Sequence, residues 1–321
     1  GSEGARLMRQ VLGWPFLLVG FGVGLLALLL HITVALPAEG PLAAVDVHGQ
    51  VLLWLLGVGG IVSGFTLSAQ SATNPLTIRR YEWLLLALIV LGALLIRLYD
   101  VNDSVRLFLD EMEMATSVVK IREQPENVYL MRPIAEKWHH PWHFPYMNTH
   151  GTYLLGSNLA GLRLPSVLFG TLTVYAAWLF VRHAFATVRR ADWLALAVAL
   201  LLATLPIHVH FSRLALPNAA DAALGMLGLA LILRGMRCGD VRSWIWGGAA
   251  LGLTHYFYEG GKLLLLATGA AWLGLLGLRL ILRYWHSKRN TLQDDDTSDR
   301  PLSWRGFWRG LLACEIGRAH V

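Results

Sequence analysis

Apolar runs of about the length that crosses a bilayer recur along this chain, and they constrain its fold more than any other feature. They occupy residues 13–36, 50–69, 81–99, 162–182, 192–210, 218–234, 243–257 and 263–284, and a further one opens near Phe307. Runs of roughly 20 apolar residues read as membrane-spanning helices. Only 15% of the residues are charged and 55% are hydrophobic, whereas soluble domains carry about 25% charged residues. The expected fold class is therefore all-α, a polytopic transmembrane helical bundle. The first run is too long for a signal-peptide core and lacks a small-residue cleavage site, so it is expected to remain as a span. The net charge of +6 does not point to nucleic acid, because the basic residues are scattered at the ends of the runs. Cys238 and Cys314 fall on membrane or cytoplasmic segments, and no structural disulfide is expected.

The distribution of basic residues orients the bundle. Arg6 and Arg9 precede the first run, Arg79 and Arg80 follow the second, and Arg182, Arg189 and Arg190 follow the fourth. Arg234, Arg237 and Arg242 lie between the sixth and seventh runs, and Lys288 and Arg289 follow the eighth. The alternate connections are poor in Lys and Arg, with only Arg213 in 211–217 and Lys262 in 258–262. Basic loops stay on the cytoplasmic side. The N-terminus is thus expected inside and the long 100–158 connection outside.

That connection is the one long polar excursion expected on the outer face. Val105, Phe108, Met112, Ala115 and Val119 recur in it at helical spacing, which predicts an amphipathic helix along the membrane surface. Asp110 and Glu111 would lie on its more polar side, either as a catalytic corner or as a solvated helix face. Further on come His139, His140, His143 and His150 among aromatic residues and prolines. They suit an interfacial aromatic loop or, alternatively, a metal site. Asp294, Asp295 and Asp296 fall in a polar segment expected on the opposite side and read as a solvated loop. No glycine-rich phosphate loop or dinucleotide fingerprint occurs.

Four segments in order resemble the dolichyl-phosphate-mannose–protein mannosyltransferase-like family of GT-C glycosyltransferases, which includes bacterial enzymes that modify lipid A. They are Arg97-Leu-Tyr followed by Leu109-Asp-Glu111; Gly161-Leu-Arg-Leu-Pro-Ser-Val-Leu-Phe-Gly170; Pro206-Ile-His-Val-His-Phe-Ser-Arg213-Leu-Ala-Leu-Pro-Asn218; and Gly252-Leu-Thr-His-Tyr-Phe-Tyr-Glu-Gly-Gly-Lys262. The resemblance covers about 81–284. It implies a GT-C-type core in a prokaryotic cytoplasmic membrane, preceded by additional spans in 1–80, with the external loop 100–158 as its catalytic loop. Residues 285–314 would form a cytoplasmic loop and the start of a truncated span. The tail 315–321 can be encoded by a common sequencing-adapter sequence, so it is expected to be non-native.

The implied activity is transfer of a sugar from a polyprenyl-phosphate-linked donor to a protein, lipid or glycan acceptor at the outer face. A base is needed to take the acceptor's proton, and Asp110 is the candidate, with Glu111 orienting it or helping to hold a divalent cation. Cations near the membrane surface suit a lipid phosphate, and Arg213 and Lys262 are the candidates. Asp221, Tyr256, Tyr258, Glu259 and His143 are expected to line the site. Arg163 reads as a snorkelling or structural residue, and His208, His210 and His255 as packing or headgroup residues. Two positions depart from the family pattern. Asn218 stands where Asp is common, so a role for that carboxylate would be lost or pass to Asp221. Lys262 stands where Arg is usual, which keeps the charge but loses bidentate geometry. A transporter would share the composition but should show paired repeats or broken helices in matching halves, which the sequence lacks, and a non-catalytic envelope-assembly protein would need no acidic corner.

Overall fold

The computed structural model describes residues 15, 18–22, 25, 45–69, 76–103, 106, 108–131 and 141–291. The expectations for most of the first span, the run near Phe307, the acidic triplet, His139, His140 and the tail lie outside these residues. Among the described residues, these α-helices follow in order from Val47: α1 Val47–Ser68, α2 Arg80–Leu98, α3 Leu109–Glu123, α4 His143–Leu155, α5 Leu159–Ala184, α6 Ala191–Thr204, α7 Pro206–Phe211, α8 Asn218–Cys238, α9 Val241–Thr254 and α10 Gly260–Thr291. A 3₁₀ turn at Pro125–Asn127 follows α3. Five of these segments are long and apolar enough to cross a membrane: Val47–Leu67, α2, α5, α8 and Gly260–Leu282.

Helix α5 is the axis of the bundle and is buried along most of its length. Asn158 caps it by accepting from the Gly161 amide at 2.9 Å, which satisfies one of the donors left open at a helix start. Pro165, one turn into the helix, has no N–H to offer the Gly161 carbonyl. That carbonyl instead packs on α4 at Gly151, where a Cβ would come within 2.2 Å of it. The two helices can cross this closely only because residue 151 has no side chain. At the other end of α5, Leu86 and Ala93 of α2, Val174 and Trp178 of α5, Ala195 and Ala199 of α6, and Ala230 of α8 form one core cluster. Close to it, Arg182 of α5 donates to the fully buried Glu82 of α2 at 2.6 Å. Leu84, Leu88 and Leu95 of α2 and Leu263, Leu266 and Leu273 of α10 point outward, as a surface against lipid tails requires.

Three expectations are corrected. The 192–210 run is not one span: Leu205 has an extended ψ of 115° and Pro206 restarts the chain as α7. Proline removes one ladder bond and disfavours helical geometry in the residue before it. The 100–158 connection carries two helices, and His143 opens the second of them instead of lying in an irregular loop. Finally, Glu111 does not lie on a solvated face of α3: it sits on the buried side of the helix, opposite the apolar stripe expected along the membrane. Glu111, Met114, Ser117, Val118 and Ile121 face inward, whereas Phe108, Met112 and Val119 are 48%, 54% and 49% exposed. An ion pair sets this orientation.

Candidate active site

Glu111, in the first turn of α3, is fully buried against Arg163 of α5, also fully buried. Arg163 grips it with both prongs of its guanidinium, Nε to Oε1 and Nη2 to Oε2, each at 2.7 Å. The Ala215 amide donates to Oε1 at 2.8 Å and the Phe108 amide to Oε2 at 3.0 Å. Arg163 also donates from Nη1 to the Val101 carbonyl at 2.7 Å. Burial pushes the Glu111 carboxyl up, but the Arg163 hydrogen bonds and the two amides outweigh it and hold the group below the usual carboxylate range. Each oxygen already accepts two hydrogen bonds, so Glu111 does not fit as a ligand for a divalent cation. Its contacts tie the start of α3, the start of α5 and the 212–217 connection into one knot. Arg163 is thus structural, and its partner is 52 residues away in sequence, beyond the reach of any local pattern.

This knot holds Asp110 half-exposed at the corner, next to Glu111 in sequence. Arg213 lies two residues from Ala215 and donates to the Tyr99 carbonyl beyond the end of α2. Its guanidinium pKa is lowered by burial, with the Asp100 carboxylate acting against that. The structure therefore brings Asp110, Glu111 and Arg213 to one corner. Lys262 and Glu259 at the start of α10, with Asp221 of α8 packed against it, form a different group. There Lys262 Nζ bridges both oxygens of Glu259 at 2.8 and 2.9 Å, and both residues are exposed. The Asp221 carboxylate lies under Gly260, where a Cβ would come within 3.0 Å of Oδ2. Tyr258 is exposed beside them.

His143 and Tyr256 form a third group with a residue the sequence reading left out of the site. Trp54 of α1 meets the His143 ring at 4.7 Å and the Tyr256 ring at 5.3 Å, both edge-on. The His143 and Tyr256 rings are 4.8 Å apart. Burial pushes the His143 imidazole down to about 3, so it is neutral at pH 7. The depth of Trp54 in its apolar run, away from the interfacial position tryptophan favours, was the available signal. Among the described residues, no three His, Cys, Asp or Glu side chains gather as a metal-binding group.

An open cleft of about 140 Å³ lies between α5, α7 and α8, lined by residues that include Gly170, His208, Phe211, Ser212 and Asn218. Behind it sits Arg97 from the last turn of α2, fully buried. It donates to Ser212 Oγ at 2.8 Å, to the Ala93 and Ala203 carbonyls at 2.9 and 3.2 Å, and to His208 Nδ1 at 2.7 Å. The Ala203 carbonyl is one that the helix break at Leu205–Pro206 leaves without its normal partner.

The fold and its sites define the class: the chain is an integral, multi-pass helical membrane protein. Over residues 139–285 it matches the family model described as dolichyl-phosphate-mannose-protein mannosyltransferase. The match bears out the family-level resemblance read from the sequence and points to a membrane glycosyltransferase. No curated protein and no solved structure matches the chain.

Proposed function

We propose that the chain is the membrane core of a glycosyltransferase that moves a sugar from a polyprenyl-phosphate-linked donor to an acceptor on the non-cytoplasmic face. The observation that carries this reading is the Glu111–Arg163–Ala215 knot, which fixes Asp110 and Arg213 at one corner. An acceptor hydroxyl attacks the anomeric carbon as the bond from that carbon to the phosphate oxygen breaks. The phosphate leaves with the electron pair, and Asp110 takes the hydroxyl proton. Arg163 is taken up by Glu111, so Arg213 is the cation assigned to the phosphate, and Lys262 would join it on leaving Glu259. Asp221, Tyr258 and Glu259 gather around the start of α10, and His143 and Tyr256 in the aromatic group with Trp54, apart from this corner. The acceptor is a protein, lipid or glycan, and membrane lipid surrounds the bundle.

Substitution of Asp110 tests the reading. Asp110→Asn keeps the shape but cannot take the proton, so transfer in proteoliposomes should fall by roughly 10²–10⁴-fold, with donor binding kept. Glu113→Gln should leave turnover near normal. Glu111→Gln should lower the unfolding temperature along with activity, as expected for a positioning residue. Near-normal turnover in Asp110→Asn would remove it as the base.

A further inference from the structure

We infer that the end of the bundle away from Asp110 holds the headgroups of anionic phospholipids, with Arg79 and Arg190 gripping the phosphate. This surface lies at the far end of α5 from Glu111 and is independent of the proposed transfer reaction. Three helices start here, and each opens beside an arginine. Arg79 caps α2 and Arg80 follows it, Arg190 caps α6 behind Arg189, and Arg242 is the second residue of α9. The positive end of a helix dipole repels cations, so arginines at these positions oppose helix stability unless an anion joins them. The nearby carboxylates are engaged elsewhere: Arg182 holds Glu82, the Tyr81 hydroxyl donates to Asp192, and Ser243 donates to Asp240 at 2.7 Å. Among the described residues no ion pair reaches Arg79, Arg80, Arg189, Arg190 or Arg237, and all five are exposed.

Orienting the chain in the membrane does not account for this arrangement. Basic residues anywhere in the short connections would set the orientation, whereas Arg190 holds a left-handed backbone, φ 63° and ψ 35°. Glycine adopts that geometry at no steric cost and other residues seldom do, so the arginine side chain is kept there against local strain. A second feature is His183, which is buried with its ring Nδ1 unpartnered, while Arg237 donates to its carbonyl at 3.2 Å. A polar group left open beneath a ring of arginines favours an anion above it. The geometry also joins the two principal cations. Arg79 lies 6.0 Å over the Tyr81 ring, which stacks on Trp193 at 5.8 Å, so Arg79 and Arg190 flank one aromatic stack. Trp83, Trp193 and Trp246 are exposed close to these helix starts, and tryptophan favours the level of the headgroups. Guanidinium forks match the oxygens of a phosphodiester. Charge at headgroup level therefore fits a phosphate anchored in the membrane better than a free anion.

The test compares the chain in nanodiscs of phosphatidylcholine with and without phosphatidylglycerol. Native mass spectrometry should show phosphatidylglycerol retained ahead of phosphatidylcholine, and the unfolding temperature should rise with its content. Arg79→Gln and Arg190→Gln should each weaken retention by about 5-fold, the effect of one basic residue at an anionic surface. Arg106→Gln, at an exposed position near Arg163 at the other end of α5, should leave retention unchanged. Arg190→Gly should give a double signature. Relief of the left-handed strain should raise the unfolding temperature in phosphatidylcholine, and the increment from phosphatidylglycerol should shrink. Equal retention of the two lipids by the unmodified chain would overturn the inference, as would unchanged retention in both Arg79→Gln and Arg190→Gln. An equal increment from inorganic phosphate in phosphatidylcholine nanodiscs would also overturn it, by showing a site for free anions. Retention seen only after Asp294, Asp295 and Asp296 are changed to Asn would assign the surface to the chain's own acidic segment and overturn it as well.

Discussion

Single residues carry the polar framework of this protein, and His143 shows how burial sets their behaviour. Its ring is 6% exposed among Trp54, Tyr256 and Phe257, with no charged neighbour among those rings. The folded imidazole titrates at about 3, whereas the unfolded chain protonates near the ordinary value of about 6.5. Between these values the unfolded state binds the extra proton, so stability rises with pH there. The contribution is complete above about pH 6.5 and is lost as pH falls towards 3. Chemical unfolding in detergent followed between about pH 6 and pH 4.5 should show a shallower pH dependence for His143→Phe than for the unmodified chain. An unchanged slope would mean that the ring is already accessible to protons. Glu111 acts in a lower window: its folded carboxyl lies below the usual range, so its contribution is lost only as pH falls through that lowered value.

At the scale of elements, close contacts at glycine decide which helices can meet. Gly151→Ala would push a Cβ into the Gly161 carbonyl, and overpacking of this kind costs about 1–3 kcal/mol. Gly248, inside α9, has nothing within 4 Å of a Cβ position, and Gly248→Ala should stabilise its helix by about 0.5–1 kcal/mol. Opposite shifts in unfolding temperature for the two variants would check this. The helices themselves were legible in the sequence because apolar length is a one-dimensional property. The expected 81–99 and 218–234 runs became α2 and α8 with only their ends moved. The apolar stripe of α3 could be read from its spacing, but the burial of its other side could not, because it depends on Arg163 holding Glu111. Asp110 and Arg213 could be singled out on chemical grounds, but their shared corner depends on a pairing across 52 residues. The α6–α7 break was signalled by Pro206, and its use by Arg97 required the third dimension.

For the whole molecule, the proposed inward N-terminus rests on the alternation of basic connections, and chemical labelling tests it directly. With Cys238 and Cys314 replaced by Ser, a cysteine at Asn127 should react with an impermeant thiol reagent applied from outside. A cysteine at Thr187, between α5 and α6, should not. Both positions are exposed, so accessibility alone would not separate them. Reversed labelling would turn the bundle over and place Asp110 on the cytoplasmic side.

Helix α5 carries a buried arginine near each end, Arg163 on Glu111 and Arg182 on Glu82. The two lie roughly 28 Å apart along the axis at 1.5 Å per residue. Sliding the helix by even one residue would pull both guanidinium groups off their carboxylates together. The helix is thus pinned at two points, like a beam bolted at each end, and cannot work as a piston. Any stroke needed to admit a long lipid or release a product must come from helices without such bolts. A change in bilayer thickness must likewise be taken up at the periphery, leaving the spacing between the two pins unaltered.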